Sequence, residues 1–353
     1  MNLFSPFSLR ELTLRNRVGM SPMCQYSAQD GRANDWHLVH LGSRAVGGVG
    51  LVIFEATAVA PEGRISPADL GLWEDGQIEP LARIVRLVES HGAASCLQLA
   101  HAGRKASTRV PWEGEGEVPE GQGGWRNVVA PSPVRFSDTY PAPTALDEAG
   151  IRGVVDAFAA SARRARQAGF RALELHAAHG YLLHQFLSPL SNLRKDRYGG
   201  DFEHRIRLTV EVARAVREEW PKQLPVFIRI SATDWAAGGW DLRQSVELAR
   251  ALKGTVDLVD VSSGGLVPNA AISVGPGYQA TFAEQIRREA GIPTAAVGMI
   301  TSPAQADHII RSGQADLVLL ARELLRDPYW TLRAARELRQ EGPWPKQYLR
   351  AAR

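Results

Sequence analysis

The chain has 353 residues, with 41 basic against 38 acidic side chains and a net charge of +3. That balance argues against a nucleic-acid binder driven by charge, and the arginines are spread along helix-like segments such as Arg163-Arg164-Ala165-Arg166 rather than gathered in one patch. A hydrophobic content of 44% is enough for a large core, and two cysteines, Cys24 and Cys96, exclude a disulfide framework and a four-thiolate cluster.

No apolar run reaches the roughly 18 residues of a membrane span, and Met1-Asn-Leu-Phe-Ser-Pro6 lacks the basic and then apolar segments of a secretory leader. A reduced, cytoplasmic setting is expected. In chain order, Arg17 to Met23 reads as a short strand stopped by Pro22, followed by a loop through Cys24-Gln-Tyr-Ser27 and Asp30-Gly31. Gly50 to Val59 is a near-continuous apolar run broken by Glu55, the pattern of a strand buried on both faces. Helical spacing runs from Gln77 to Ser90, and Ala93 to His101 is another strand. The stretch from Ala102 to Ala145 is irregular, rich in Gly, Pro and Trp, and reads as a functional loop or lid inserted after the third strand. A helix spans Asp147 to Ala168, a strand Ala172 to Leu175, and a polar stretch from Asn192 leads into a helix ending at Trp220. The second half continues the alternation. Strands are expected at Pro225–Ser231, Asp257–Ser263, Thr294–Ile300 and Asp316–Leu320, and helices at Leu242–Lys253, Phe282–Ala290, Ser302–Ser312 and Pro328–Gln340. Eight strands separated mostly by helices give an α/β fold, a single (β/α)8 TIM barrel spanning 1–353, with 102–145 as an insertion and 343–353 as a tail.

Immediately after the fourth strand the chain reads His176-Ala-Ala-His-Gly-Tyr181. In a continuing strand positions 176 and 179 point to opposite faces, whereas a helical turn after His176 puts them on one face with Tyr181 close by. Imidazole N–H groups can hold an oxygen on which charge builds, and a phenol can deliver a proton. A structural histidine pair and a metal pair are the alternatives, since His-x-x-His is also a ligand spacing. The strand exits are polar and cationic but poor in the carboxylates a metal site wants; Glu174 lies inside its strand. At the seventh and eighth exits Gly298 leaves room for an anion and Arg322 supplies a cation, the place where barrels often bind phosphate. Gln98 can pair with a pyrimidine edge and Arg229 can face an electron-rich ring. No G-x-G-x-x-G follows a strand, so a dinucleotide-binding Rossmann domain is not expected.

Six stretches taken together resemble the Old Yellow Enzyme family of FMN-dependent ene-reductases, in its bacterial, thermophile-like branch. They are Asn16 to Tyr26, Asp35 to His40, Glu55 to Val59, Gln98 to Lys105, His176 to Tyr181, and Ser188 to Asn192 with Tyr198-Gly-Gly200. The resemblance implies FMN in the barrel mouth. Ser21, Pro22, Met23, Cys24, Ala58, Gln98 and Arg229 would line its ring and ribityl chain, and Gly298, Met299, Ala321 and Arg322 its phosphate. It implies that His176 and His179 hold a substrate oxygen, that Tyr181 delivers a proton, that Tyr26 closes the pocket, and that Cys24 touches the substrate and tunes the flavin. NADPH or NADH would reduce the flavin, and an electron-poor alkene (enone, maleimide or nitroalkene) would reoxidise it in a ping-pong cycle. The expected partners are these small molecules and further copies of the chain, as a homodimer or homotetramer in which Arg350 reaches a neighbour's pocket; no nucleic acid or membrane is expected. The sequence departs from the family pattern after Tyr348, at Ala321 where glycine is common, and at Asp201-Phe-Glu-His204. The dienoyl-CoA reductase type, with an iron–sulfur site and extra domains, is set aside on the cysteine count. A metal-dependent barrel hydrolase using His176 and His179 is the rival from another class.

Overall fold

The computed structural model describes residues 1–352; Arg353, the last residue of the tail, lies outside the described residues. Eight parallel strands close into a barrel in chain order: β1 Val18–Met20, β2 Leu51–Ala58, β3 Ala94–Ala100, β4 Ala172–Ala177, β5 Val226–Ser231, β6 Leu258–Ser262, β7 Thr294–Val297 and β8 Leu317–Leu320. From β2 to β8 every strand residue is buried, which is why these segments read as apolar runs rather than alternating ones. Eight helices cover the outside: α1 Asp35–Val46, α2 Ile78–Ser90, α3 Glu148–Gln167, α4 Arg207–Glu219, α5 Leu242–Leu252, α6 Ala280–Ala290, α7 Pro303–Arg311 and α8 Trp330–Glu337.

The expected eight-stranded barrel is therefore present, with element ends shifted by a few residues. Two helix starts carry side-chain caps: Asp147 accepts from Gly150 N, and Ser302 accepts from Gln305 N ahead of Pro303. Helix α1 lies where no helix is expected, because polar and apolar residues share its buried face. His37, His40 and Arg44 face inward while Trp36 and Val39 are 56% and 65% exposed. Asn34 caps it, accepting from Trp36 N and donating its own N–H to His37 Nδ1.

Apart from a small group, Ala102, Ala106 and Val128, at the insertion, apolar side chains fill two places. The larger cluster lies between strands and helices. The smaller occupies the barrel interior, where Leu51, Ile53, Cys96, Phe227 and Leu319 meet Leu9, Leu12 and Leu14 of an unpredicted antiparallel hairpin, Phe7–Leu9 with Leu12–Leu14. The hairpin stops one end of the barrel. Residues 102–145 form three 3-10 turns and a two-residue strand pair, Val129–Ala130 with Thr144–Ala145. Truncating Leu319, which is 1% exposed and packs against Gly19, opens a cavity in this interior. Leu319→Ala is expected to lower unfolding free energy by about 2–5 kcal/mol, read from urea denaturation.

Candidate active site

Strand β4 carries His176 at the level where it pairs with Arg229 of β5. The chain does not turn helically after it. His179 adopts φ +56 and Gly180 φ +74, a left-handed kink that turns the backbone so that the His176 and His179 rings meet edge to face at 5.3 Å. The kink costs a non-glycine residue about 1–2 kcal/mol and is held by its surroundings. His179 N donates to Ser231 Oγ (2.9 Å), Gly180 N donates to His184 Nδ1 (2.9 Å), and the His184 ring is fixed by Asp234 at 2.9 Å. Tyr181 then caps a short helix, Leu182–Leu187, and its ring sits 4.8 Å from that of His176.

A backbone hydrogen bond sets the tautomer of His176. His176 Nδ1 accepts from Ala178 N (3.2 Å), leaving Nε2 as the N–H donor. His179 Nε2 lies 2.7 Å from Ser262 Oγ. Burial first, and then the cations Arg229 and Lys105, hold both imidazoles far below their ordinary pKa. They are neutral at physiological pH. Burial, reinforced by Cys24 and Tyr26, lifts the Tyr181 phenol well above its ordinary value, so it keeps its proton. The site thus presents two neutral imidazoles, with Nε2–H of His176 free to donate, beside a protonated phenol.

The other expected residues fall around this centre in two groups. Ser21, Pro22, Met23 and Cys24 leave β1, with Ser21 N bonded to Leu320 O (2.9 Å). Ala58 ends β2 and lines a small cleft with Ala56 and Tyr181. Gln98 donates to Glu174 Oε1 at 2.8 Å, keeping one amide N–H and its carbonyl oxygen free. Arg229 Nε lies 3.1 Å from Asp260 Oδ2 without hydrogen-bond alignment. Tyr26, at φ +48, hydrogen-bonds with Cys24 and meets Trp112 of the insertion edge to face at 5.9 Å. Burial raises the Cys24 thiol well above its ordinary value. The second group, Gly298, Met299, Ala321 and Arg322, lines one cavity of about 350 Å³ that reaches Ser262, the partner of His179. Arg350 lies elsewhere. It sits in the exposed turn Lys346–Ala351, whose Tyr348 packs against Tyr329, and no described contact joins it to the histidines of its own chain.

Several functional neighbours escaped the sequence reading. The strand exits are poor in acids, but the strands themselves are not: Glu55, Glu174 and Asp260 are all buried, Glu55 against His37 of α1. A lone carboxylate in an apolar parallel strand was the signal, because such a side chain must be held by a partner inside. Burial raises Glu174 and Asp260, Asp260 raises Glu174 further, and Arg229 opposes both shifts. Lys105, Trp112, Ser231 and Ser262 were also given no role, although they make the contacts described above.

Comparison with known proteins settles the family. Residues 2–341 match the model of the NADH:flavin oxidoreductase / NADH oxidase family. The chain belongs to this family. The NADPH dehydrogenase of Geobacillus thermodenitrificans is 51% identical, over 99% of this chain and 98% of that protein. That of Bacillus licheniformis is 48% identical over the same shares. Morphinone reductase superposes with a TM-score of 0.79 at 28% identity, covering 97% of this chain and 90% of that one. A 2-naphthoyl-CoA reductase shares the fold (TM-score 0.85, 23% identity), and the chain spans 52% of its length. The Old Yellow Enzyme expectation therefore holds: the protein is an FMN-dependent oxidoreductase of the NADPH dehydrogenase kind, and the metal-hydrolase alternative has no support.

The residues present suit FMN. At Gly298, with φ +121, an added Cβ would fall 2.6 Å from Gln279 Nε2 and 2.9 Å from Tyr278, so only glycine leaves the backbone open to a phosphate. Arg322 is exposed beside it and, among the described residues, has no carboxylate partner. Ser21 Oγ and Arg229 Nε are buried without hydrogen-bond partners within the chain, donors that suit the polar edge of a flavin ring. Gly298→Val is expected to weaken FMN binding by about tenfold or more, roughly 1.4 kcal/mol, measured by the quenching of flavin fluorescence as apoprotein is titrated into FMN, with circular dichroism showing the barrel intact.

A second expectation concerns pH. Burial lifts the Glu55 carboxyl from its ordinary 4.5 to about 8, against an opposing hydrogen bond from Gln25 N. Between those values the folded chain keeps a proton that the unfolded chain has lost, so this group makes the fold less stable as pH rises through that window. Glu55→Gln is expected to remove this component. Urea midpoints of the variant should gain on wild type steadily from pH 5 to pH 8.

Proposed function

We propose that this enzyme reduces activated C=C bonds in enones, maleimides and nitroalkenes, taking its electrons from NADPH in a ping-pong cycle. The observation that carries the reading is the juxtaposition of two neutral imidazoles and a protonated phenol at one strand exit. FMN, when bound, supplies the hydride transfer. The protein's own part is polar. With His179 Nε2 accepting from Ser262 Oγ, His179 Nδ1–H and His176 Nε2–H hold the carbonyl or nitro oxygen, whose negative charge grows as hydride reaches Cβ. Neutral donors suit this role, since an imidazolium would have to be kept charged in a buried site at high cost. Tyr181 gives its proton to Cα, so hydride and proton together add one H2 across the double bond. Gln98 and Arg229 would hold the polar edge of the flavin ring, Ser21, Pro22, Met23, Cys24 and Ala58 would line it, and Gly298, Met299, Ala321 and Arg322 would take the phosphate. Tyr26 roofs the pocket, and Cys24 contacts substrate as a thiol.

The same reading makes the working enzyme a cytoplasmic homodimer or homotetramer, with Arg350 of one chain entering its neighbour's pocket. Its support is the exposure of the tail (Leu349 is 53% exposed) and its position away from the histidines of its own chain.

An anaerobic titration followed by visible absorbance tests the proposal. The yellow enzyme is expected to bleach with NADPH and to recover its colour with cyclohexenone; a protein that bleaches but is not reoxidised by enone, maleimide or nitroalkene would remove the substrate assignment. His176→Ala is expected to slow reoxidation by cyclohexenone about 10²-fold or more. Tyr181→Phe should also slow it; intact turnover there would mean that another acid supplies the proton.

A further inference from the structure

The left-handed kink that carries His179 does not stand alone. A second left-handed pair, Gly264 (φ +73) and Gly265 (φ +86), follows β6 and backs directly onto it. A Cβ on Gly180 would fall 2.3 Å from Gly265 O, and one on Gly265 would fall 2.7 Å from His179 Cα. The two turns are therefore packed backbone to backbone, with no side chain between them.

Such a contact leaves the carbonyls of His179 and Gly265 in need of a shared donor. One amine supplies it. Lys105 Nζ lies 2.8 Å from His179 O and 2.5 Å from Gly265 O. The amine also sits 4.1 Å from the ring centroid of Phe136, in the inserted segment, and 5.6 Å from that of Tyr181. Lys105 itself closes the 3-10 turn Gly103–Lys105 that follows β3. It thus ties together the exits of β3, β4 and β6 and the insertion. An amine keeps two N–H bonds whether or not it is protonated, so both contacts can be made in either state.

We propose that Lys105 is a positioning residue that clamps the His179–Gly180 turn against Gly264–Gly265 and so sets the imidazole of His179 at the distance the substrate oxygen requires. This rests on the proposed function for its catalytic consequence, but not for the clamp itself. A donor displaced by about 1 Å can cost up to 10²-fold in rate, so loss of a clamp that leaves Ser231 and His184 in place should cost less than that.

Two measurements on the FMN-loaded enzyme test it. Hydrogen–deuterium exchange in wild type and Lys105→Met reads the clamp without any substrate. Exchange at His179–Gly180 and Gly264–Gly265 is expected to rise about tenfold, with Lys105→Arg close to wild type. Unchanged exchange overturns the proposal whatever the activity. Reoxidation by cyclohexenone then reads the consequence in a double-mutant cycle: Lys105→Met slows it about tenfold alone and less than about twofold in a His179→Ala background. Equal losses in both backgrounds would overturn action through His179. If Lys105→Met does not fold, Lys105→Gln, which keeps an amide N–H but cannot span both carbonyls equally, takes its place in both measurements. If wild type is not reoxidised by enone at all, the substrate assignment fails while exchange still decides the clamp.

Discussion

A positive φ at a histidine is the constraint on which this site depends. Strand geometry alone would send His176 and His179 to opposite sides of the barrel wall, one into the mouth and one into the helical layer. Left-handed backbone at His179 and Gly180 reverses that. The conformation is unfavourable for a residue with a Cβ, and the chain surrounds it with fixed partners: Ser231 on the amide of His179, His184 on the amide of Gly180, Gln185 on the carbonyl of Gly180 and Lys105 on the carbonyl of His179. Each partner is held by another group in turn, as Ser231 is by Gly264 O and His184 by Asp234. Local strain is thus spread over several loops at the barrel mouth, the usual arrangement where strain persists at a functional site.

Most of the barrel was legible because parallel strands buried on both faces cannot hide in a sequence. Leu51–Ala58 and Ala94–Ala100 have no solvent face, so their composition announces them. Helix α1 was illegible for the opposite reason. Its inward face mixes His37, His40 and Arg44 with Leu41 and Ala45, and its outward face carries Trp36 and Val39, so no clean apolar periodicity marks it. The hairpin Phe7–Leu9 with Leu12–Leu14 was too short to register, though its leucines complete the barrel interior. At the site, residue types were readable and backbone conformation was not. The histidine spacing suggested convergence by a helical turn, and the structure reaches the same convergence by a left-handed one that no periodicity encodes.

The buried carboxylates show what a polar barrel interior demands. Glu174 and Asp260 flank Arg229 in neighbouring strands, with Gln98 donating to Glu174. Burial raises both acids and Arg229 opposes the rise, so the group is a shared charge cluster rather than a set of independent ion pairs. Unpartnered atoms remain on Glu174, Arg229 and Asp260. Buried polar atoms without partners are costly, and a planar ligand with alternating donors and acceptors along one edge is the kind of group that meets such a set.

Cys24 occupies the opposite wall, and its surroundings decide which chemistry it can offer. Burial disfavours the thiolate, and the nearby acids Asp69 and Glu55 disfavour it further; only hydrogen bonds from Ala56 and Tyr26 act the other way. A cysteine activated as a nucleophile sits among cations or at a helix amino-terminus, and neither condition is met here. Glu55 itself is held largely protonated by burial and anchors the loop by accepting from Gln25 N, the residue after Cys24. The β2 bulge between Phe54 and Thr57 places that carboxyl beneath the loop. Cys24 is therefore held as a neutral, polarisable thiol, suited to non-covalent packing rather than to covalent bond formation.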